Sequence, residues 1–117
     1  MISLGLLLFL AAAPQDAAAL PAPTDALCQD ASEMIENRVG FLLRQPTVIS
    51  AKMGKKEIQT MGAIEAFKME GRPIADAMSA KYPPRARDQQ GTPDPVIDKM
   101  GFDQLFAFSK TCIAAKS

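Results

Sequence analysis

The residues whose types and spacing bear on chemistry are a run of carboxylates, two cysteines and a cluster of lysines. Asp30, Glu33 and Glu36 recur every third residue, which on a helix sets acids on neighbouring turns within reach of one substrate bond, as a carboxylate-dependent hydrolase requires. Acids in the first half of an exposed helix also favour the positive end of its dipole and keep the surface wet. That plainer reading is preferred, so no catalytic residue is assigned. Glu33 and Glu36 are the residues a hydrolytic alternative would use. The chain contains no His, which excludes Ser-His-Asp and Cys-His sites and removes the commonest metal ligand. A zinc site would have to be built from Cys and carboxylates alone, so neither metal nor cofactor is assigned.

Lys52, Lys55 and Lys56 cluster around Gly54, but the stretch lacks the other glycine and the Ser or Thr of a phosphate-binding loop. With Arg38 and Arg44, residues 38–56 carry five basic charges and no acidic ones, whereas residues 25–36 carry four acidic and no basic ones. Such polarity suits docking of a partner or an anionic surface, and equally suits neighbouring helices that balance each other. Methionine is a flexible, polarizable side chain common on adaptable binding surfaces. Met34, Met61 and Met78 fall within helical stripes and are expected in the core. Met53, Met69 and Met100 fall near helix ends and, with Lys52, Lys55 and Lys56, are the candidate partner-binding residues. Phe41, Phe102, Phe106 and Phe108 are candidate walls of a groove.

The elements that must position these residues are helical. Leu20-Pro-Ala-Pro23 forms an extended lead-in, since each proline fixes φ and biases its predecessor away from helix. Thr24 caps a first helix over about 24–45, with Asp25 in its first turn and Leu27, Ala31, Met34, Ile35, Phe41 and Leu42 as its apolar stripe; Pro46 ends it. Residues 47–54 read as a short helix or turn. A helix over 55–70 follows, with Ile58, Met61, Ile64 and Phe67 on a broad apolar face, and Gly71 in the position that closes it. Pro73 opens another helix over 73–82, striped by Ile74, Ala77, Met78 and Tyr82. Residues 83–95 are a Pro-rich solvated loop. Asp94-Pro95 caps a last helix over 95–115, broken near Gly101, with Leu105, Phe106, Phe108, Cys112 and Ile113 as its apolar face. The expected fold is all-α, a small bundle of about four helices over 24–117.

Met1-Ile-Ser followed by the apolar run Leu4 to Ala13 has the length of a secretion-signal core and is too short to span a bilayer. Small residues at Ala17-Ala18-Ala19 place cleavage before Leu20, so residues 1–19 are expected to be a cleavable signal peptide. The segment before the apolar run carries no Lys or Arg, which keeps open a membrane-held protein with an uncleaved leader. In an oxidising compartment Cys28 and Cys112 are expected to pair, joining the first helix to the last; two reactive thiols or intermolecular pairing are the alternatives.

Across 117 residues, 13 basic and 13 acidic side chains cancel, so the clustered excess of Lys and Arg that phosphate contacts need is missing and nucleic acid is not an expected partner. With 48% hydrophobic residues the chain has enough apolar surface to fold around one core. Together these features imply a periplasmic or secreted helical protein that acts without catalysis, through contact with a protein or an envelope surface.

Overall fold

Thr24 starts the first helix, its hydroxyl accepting the Leu27 N–H at 3.3 Å, while the Asp25 carboxylate lies in the first turn. The computed structural model describes residues 20–46 and 55–117, and side chains at 20–46 and 62–117; the leader expected at 1–19 and the turn expected at 47–54 lie outside the described residues. Helix α1 (Asp25–Ile35) passes without a break into a π-helical turn, Glu36–Gly40, and then into α2 (Phe41–Arg44). The wider π turn holds more residues than an α turn, so the buried stripe moves along by about one position. Ala31, Met34 and Ile35 are buried as the 3.6-residue period requires, but the next buried apolar side chains are Val39 and Leu43, and Phe41 is turned out at 80% exposure. Gln45, the residue before Pro46, is extended and ends the helix.

Helix α3 (Lys55–Lys81) corrects the expected boundary between two helices at 70–73. Gly71 does not close a helix, and no glycine among the described residues has positive φ. Instead its bare Cα admits neighbours: a β-carbon there would lie 2.8 Å from Leu43 Cδ2 and 2.9 Å from Phe106 Cζ. Pro73 withholds an N–H from the Met69 carbonyl, yet the helix continues because Ile74, Ala75 and Met78 on the following turns are buried in the core. Arg72 adds a tie by donating from Nε to the Leu43 carbonyl at 2.7 Å and from Nη2 to the Gln45 carbonyl at 3.3 Å. Packing therefore outweighs the local stop signal. The true stop is Pro83-Pro84, after Tyr82.

The loop that follows holds a single 3₁₀ turn, Arg87–Gln89. Asp94 then caps α4 (Pro95–Asp98) by accepting the Val96 N–H at 2.9 Å, and the chain breaks at Gly101 before α5 (Phe102–Ala115), as expected. Among the described residues the fold is all-helical, with no strand.

Helix directions follow from the contacts. Cys28 near the start of α1 is bonded to Cys112 near the end of α5, with Cα atoms 5.8 Å apart, so these helices run antiparallel. α3 runs parallel to α5: Phe67 meets the Phe102 and Phe106 rings at one end, and Tyr82 Oη donates to the Cys112 carbonyl at 3.1 Å at the other. The core between them comprises Ile35, Leu43, Ile74, Met78, Ile97, Leu105, Phe106 and Phe108, closed at one end by the buried disulfide. Ser32, itself buried, donates to the Tyr82 carbonyl at 2.6 Å, which satisfies polar groups inside this layer.

Candidate functional site

Two regions bear on function: the polar face of α1, where the carboxylates lie, and the outer side of α3.

On α1 the carboxylates are taken up by the Pro-rich loop. Glu33 is only 4% exposed. Its Oε2 accepts Arg85 Nε at 2.7 Å, the Arg85 backbone N–H at 2.9 Å and Gln29 Nε2 at 2.9 Å, and its Oε1 accepts Arg85 Nη2 at 2.8 Å. These donors, Arg85 foremost, hold the carboxyl at about 2 against an ordinary 4.5, although burial pushes the other way. A group so held stays ionised at neutral pH and has no proton to give. Asp30 Oδ2 accepts the Asp94 N–H at 2.9 Å, Asn37 donates to Gln90 Oε1 at 2.7 Å, and Gln90 donates to the Arg85 carbonyl at 2.7 Å. Both ends of the loop are thus fastened to one helix face. The cleft left between them, lined by Asp30, Glu33, Met34, Asn37, Gln90, Gly91 and Pro93, has a volume of about 70 Å³, room for a few waters and well below the size of a typical ligand pocket.

Glu36 belongs to a different cluster. Its two oxygens accept Arg44 Nη2 and Nη1 at 2.7 and 2.8 Å, and Arg44 Nη2 reaches Asp76 Oδ1 at 3.3 Å. The ion pair spans the π turn and passes over Gly40, where a β-carbon would lie against the Glu36 carboxylate. Glu36 raises the Arg44 pKa further above its ordinary value. The two acids that a hydrolytic pair would use therefore serve separate structural clusters. Arg38, another member of the basic stretch, binds the Asp98 side chain at 3.2 Å and the Asp98 carbonyl at 3.0 Å. Arg38 and Arg44 thus pair with acids within the fold, and Arg44 with Glu36 joins the basic stretch to the acidic one. Loop partners such as Arg85 carry no local sequence signal that names Glu33; the burial of this acid, visible in three dimensions, is what finds the pair.

Along α3, Glu65, Lys68, Met69, Arg72, Pro73 and Asp76 line a groove of about 320 Å³. Lys68 is buried beside Glu65, with Nζ 4.0 Å from Oε2. The Arg72 and Asp76 head groups are engaged at the surface, Arg72 by the Leu43 and Gln45 carbonyls and Asp76 by Arg44. Met69 is left standing out at 70% exposure. Of the candidate partner-binding residues, Lys55, Lys56 and Met69 share α3. Met100 does not join them and is corrected to a core residue: it is 6% exposed, since the break at Gly101 turns it inward, where its carbonyl accepts Arg38 Nη1 at 3.4 Å. Lys52 and Met53 lie outside the described residues. The proposed aromatic walls also divide, with Phe106 and Phe108 buried, Phe102 half-buried against Phe67, and Phe41 exposed on α2.

Among the described residues no group of three His, Cys, Asp or Glu side chains is placed to hold a metal ion, and no helix is long and apolar enough to cross a membrane. No protein-family model, curated protein or solved structure matches the chain.

Proposed function

We propose that this chain is an exported, non-enzymatic binding module that works through contact with a protein or an envelope surface, and that the outer side of α3 is the surface it uses. The observation that carries this reading is a contrast. Glu33 and Glu36 are engaged in ion pairs with Arg85 and Arg44, whereas α3 presents the 70% exposed Met69 beside an open groove. A large, adaptable apolar side chain rimmed by charge is the composition of a docking surface. The buried Cys28–Cys112 disulfide is compatible with an extracellular or periplasmic location.

Two measurements test the reading. The mass of the exported product should correspond to a chain that begins at Leu20; a product that begins at Met1 would replace a released module with a membrane-held one. The disulfide-bonded protein, immobilised and presented with an oxidised envelope extract, should retain a partner that the Met69→Glu variant does not. Identical retention by the two proteins, or retention by neither across pH and salt, would remove α3 as the binding surface.

A further inference from the structure

The Pro-rich loop is laid on the bundle by polar contacts alone. None of residues 83–95 is buried, and the core residues nearest to them, Tyr82 and Ile97, lie just outside the segment at either end. Hydrophobic burial therefore fixes where the loop starts and stops, but not the surface it lies on. That surface is set by two carboxylates of α1. Glu33 takes the backbone N–H and the guanidinium of Arg85 near the first end, and Asp30 takes the Asp94 N–H near the second. The remaining ties are neutral: Gln29 donates to the Pro83 carbonyl at 2.7 Å, and Asn37 to Gln90 Oε1. Beneath the loop, Met34 lines the small polar cleft and is only 7% exposed.

We propose that this loop is an acid-released strap: protonation of Glu33 and Asp30 lifts residues 84–93 off α1, while the disulfide-closed bundle stays folded, and opens the Met34 face of α1 to solvent. The strap is a second device, independent of the surface that α3 offers. Hydrogen bonds to an ionised carboxylate are about twice as strong as neutral ones. A proton on Glu33 leaves the Arg85 guanidinium against a neutral, buried carboxyl, where its charge is better placed in water. The direction follows from the donors around Glu33, which hold its carboxyl at about 2 against an ordinary 4.5, so closure is favoured above pH 4.5 and weakens as pH falls towards 2. The neighbouring charges are engaged elsewhere or face water. On α4 the Asp94 side chain caps Val96 and Asp98 is taken by Arg38; Arg87 and Asp88 are exposed on the outer turn of the loop. From α3 and α5, Tyr82 donates to the Cys112 carbonyl, and Lys81 and Lys116 each donate to the other's carbonyl. Apolar packing and the Cys28–Cys112 bond join α1, α3 and α5, and neither changes protonation in this range. Acid thus detaches the strap before the bundle, and the face it uncovers carries neutral Asp30 and Glu33 around Met34.

Backbone ¹⁵N relaxation of the disulfide-bonded protein, at neutral pH and close to pH 2, is the test. Order parameters over 84–93 should match those of α1 at neutral pH and drop below about 0.6 in acid, while α1, α3 and α5 stay near about 0.85. Neutralisation should reverse the change. Glu33→Gln keeps the shape of the acceptor without its charge, and Arg85→Gln removes the guanidinium; each should open the strap at neutral pH with helical circular dichroism unchanged, and flatten its response to acid. A strap that stays rigid close to pH 2 would overturn the proposal. Strap and helices losing order in one transition would do the same, as would variants whose strap opens at the wild-type pH. If Glu33→Gln does not fold, Arg85→Gln decides, because Arg85 is exposed and its replacement leaves α1 untouched.

Discussion

Arg85 approaches Glu33 with its backbone N–H and with two guanidinium nitrogens, at 2.9, 2.7 and 2.8 Å, across a sequence separation of 52 residues. One residue thus fixes both the position of the loop backbone and the charge of the buried acid it covers. The contact has a pH signature. A carboxyl held at about 2 in the fold and titrating at 4.5 when unfolded contributes stability above pH 4.5 and loses it as pH falls towards 2. Wild-type stability, followed by denaturant unfolding, should therefore decline through that window with a component missing from Glu33→Gln. An identical decline in the two proteins would show that the pair contributes nothing.

At neutral pH the substitution Glu33→Ala should cost about 2–3 kcal/mol, because it leaves the Arg85 N–H and Gln29 amide without their buried acceptor. For a domain of this size that corresponds to a fall in Tm of roughly 10–20 °C. Arg85→Ala removes the two guanidinium donors and the compensating charge but leaves the backbone N–H and the Gln29 amide on the carboxylate, so it should also destabilise, and should raise the Glu33 pKa back towards its ordinary value. Hydrogen exchange should show the loop over 83–95 loosening first in either variant.

The two α3 glycines should respond in opposite directions to the same substitution. At Gly62, alanine gains helix propensity and meets no neighbour, so Gly62→Ala should stabilise by about 0.5–1 kcal/mol. At Gly71 the same gain is outweighed by overlap with Leu43 and Phe106, side-chain carbons fixed in the core, so Gly71→Ala should destabilise by about 1–2 kcal/mol. Thermal melts of the two variants beside wild type decide the matter. Equal shifts would mean that Gly71 sits in a helix for a reason other than close packing.

Gly71 also marks where sequence reasoning met its limit. Features governed by neighbours in the chain were legible: the Thr24 and Asp94 caps, the arrest at Pro46, the break at Gly101 and the Pro-rich loop. The pairing of Cys28 with Cys112 was legible because only one intramolecular pairing exists. Gly71-Arg-Pro73 carries the same local signal as a helix end, and what overrides it is Leu43 and Phe106, residues distant in sequence. The π turn at Glu36–Gly40 is likewise invisible in a 3.6-residue stripe, so Phe41 was expected inside and lies outside. Of the candidate site, Met69 and the lysines at the start of α3 could be picked out by type and placed on one helix, but the groove beside Met69 runs on to Arg72, Pro73 and Asp76, which required α3 to be continuous.

Removing the covalent tie between α1 and α5 offers the largest single test of the fold. Cys28 and Cys112 are 84 residues apart, and their sulfurs are wholly buried under the core that α1, α3 and α5 share. Closing a loop of that length in the unfolded chain is worth about 4–5 kcal/mol by chain entropy, an upper value for the stabilisation the bond confers. A small domain has a total stability of roughly 5–15 kcal/mol, so the Cys28→Ser/Cys112→Ser protein should keep a large part of its helical signal but melt lower, by up to about 30 °C. Single variants should fare worse than the double one in an oxidising compartment, because each leaves a lone thiol free to pair between chains. Burial adds a kinetic consequence: a thiol reductant should leave the bond intact in the native protein and reduce it promptly once denaturant exposes it. Reduction at the same rate with and without denaturant would mean that α1 and the end of α5 open readily, and that the bond, rather than the packing around it, holds these two helices together.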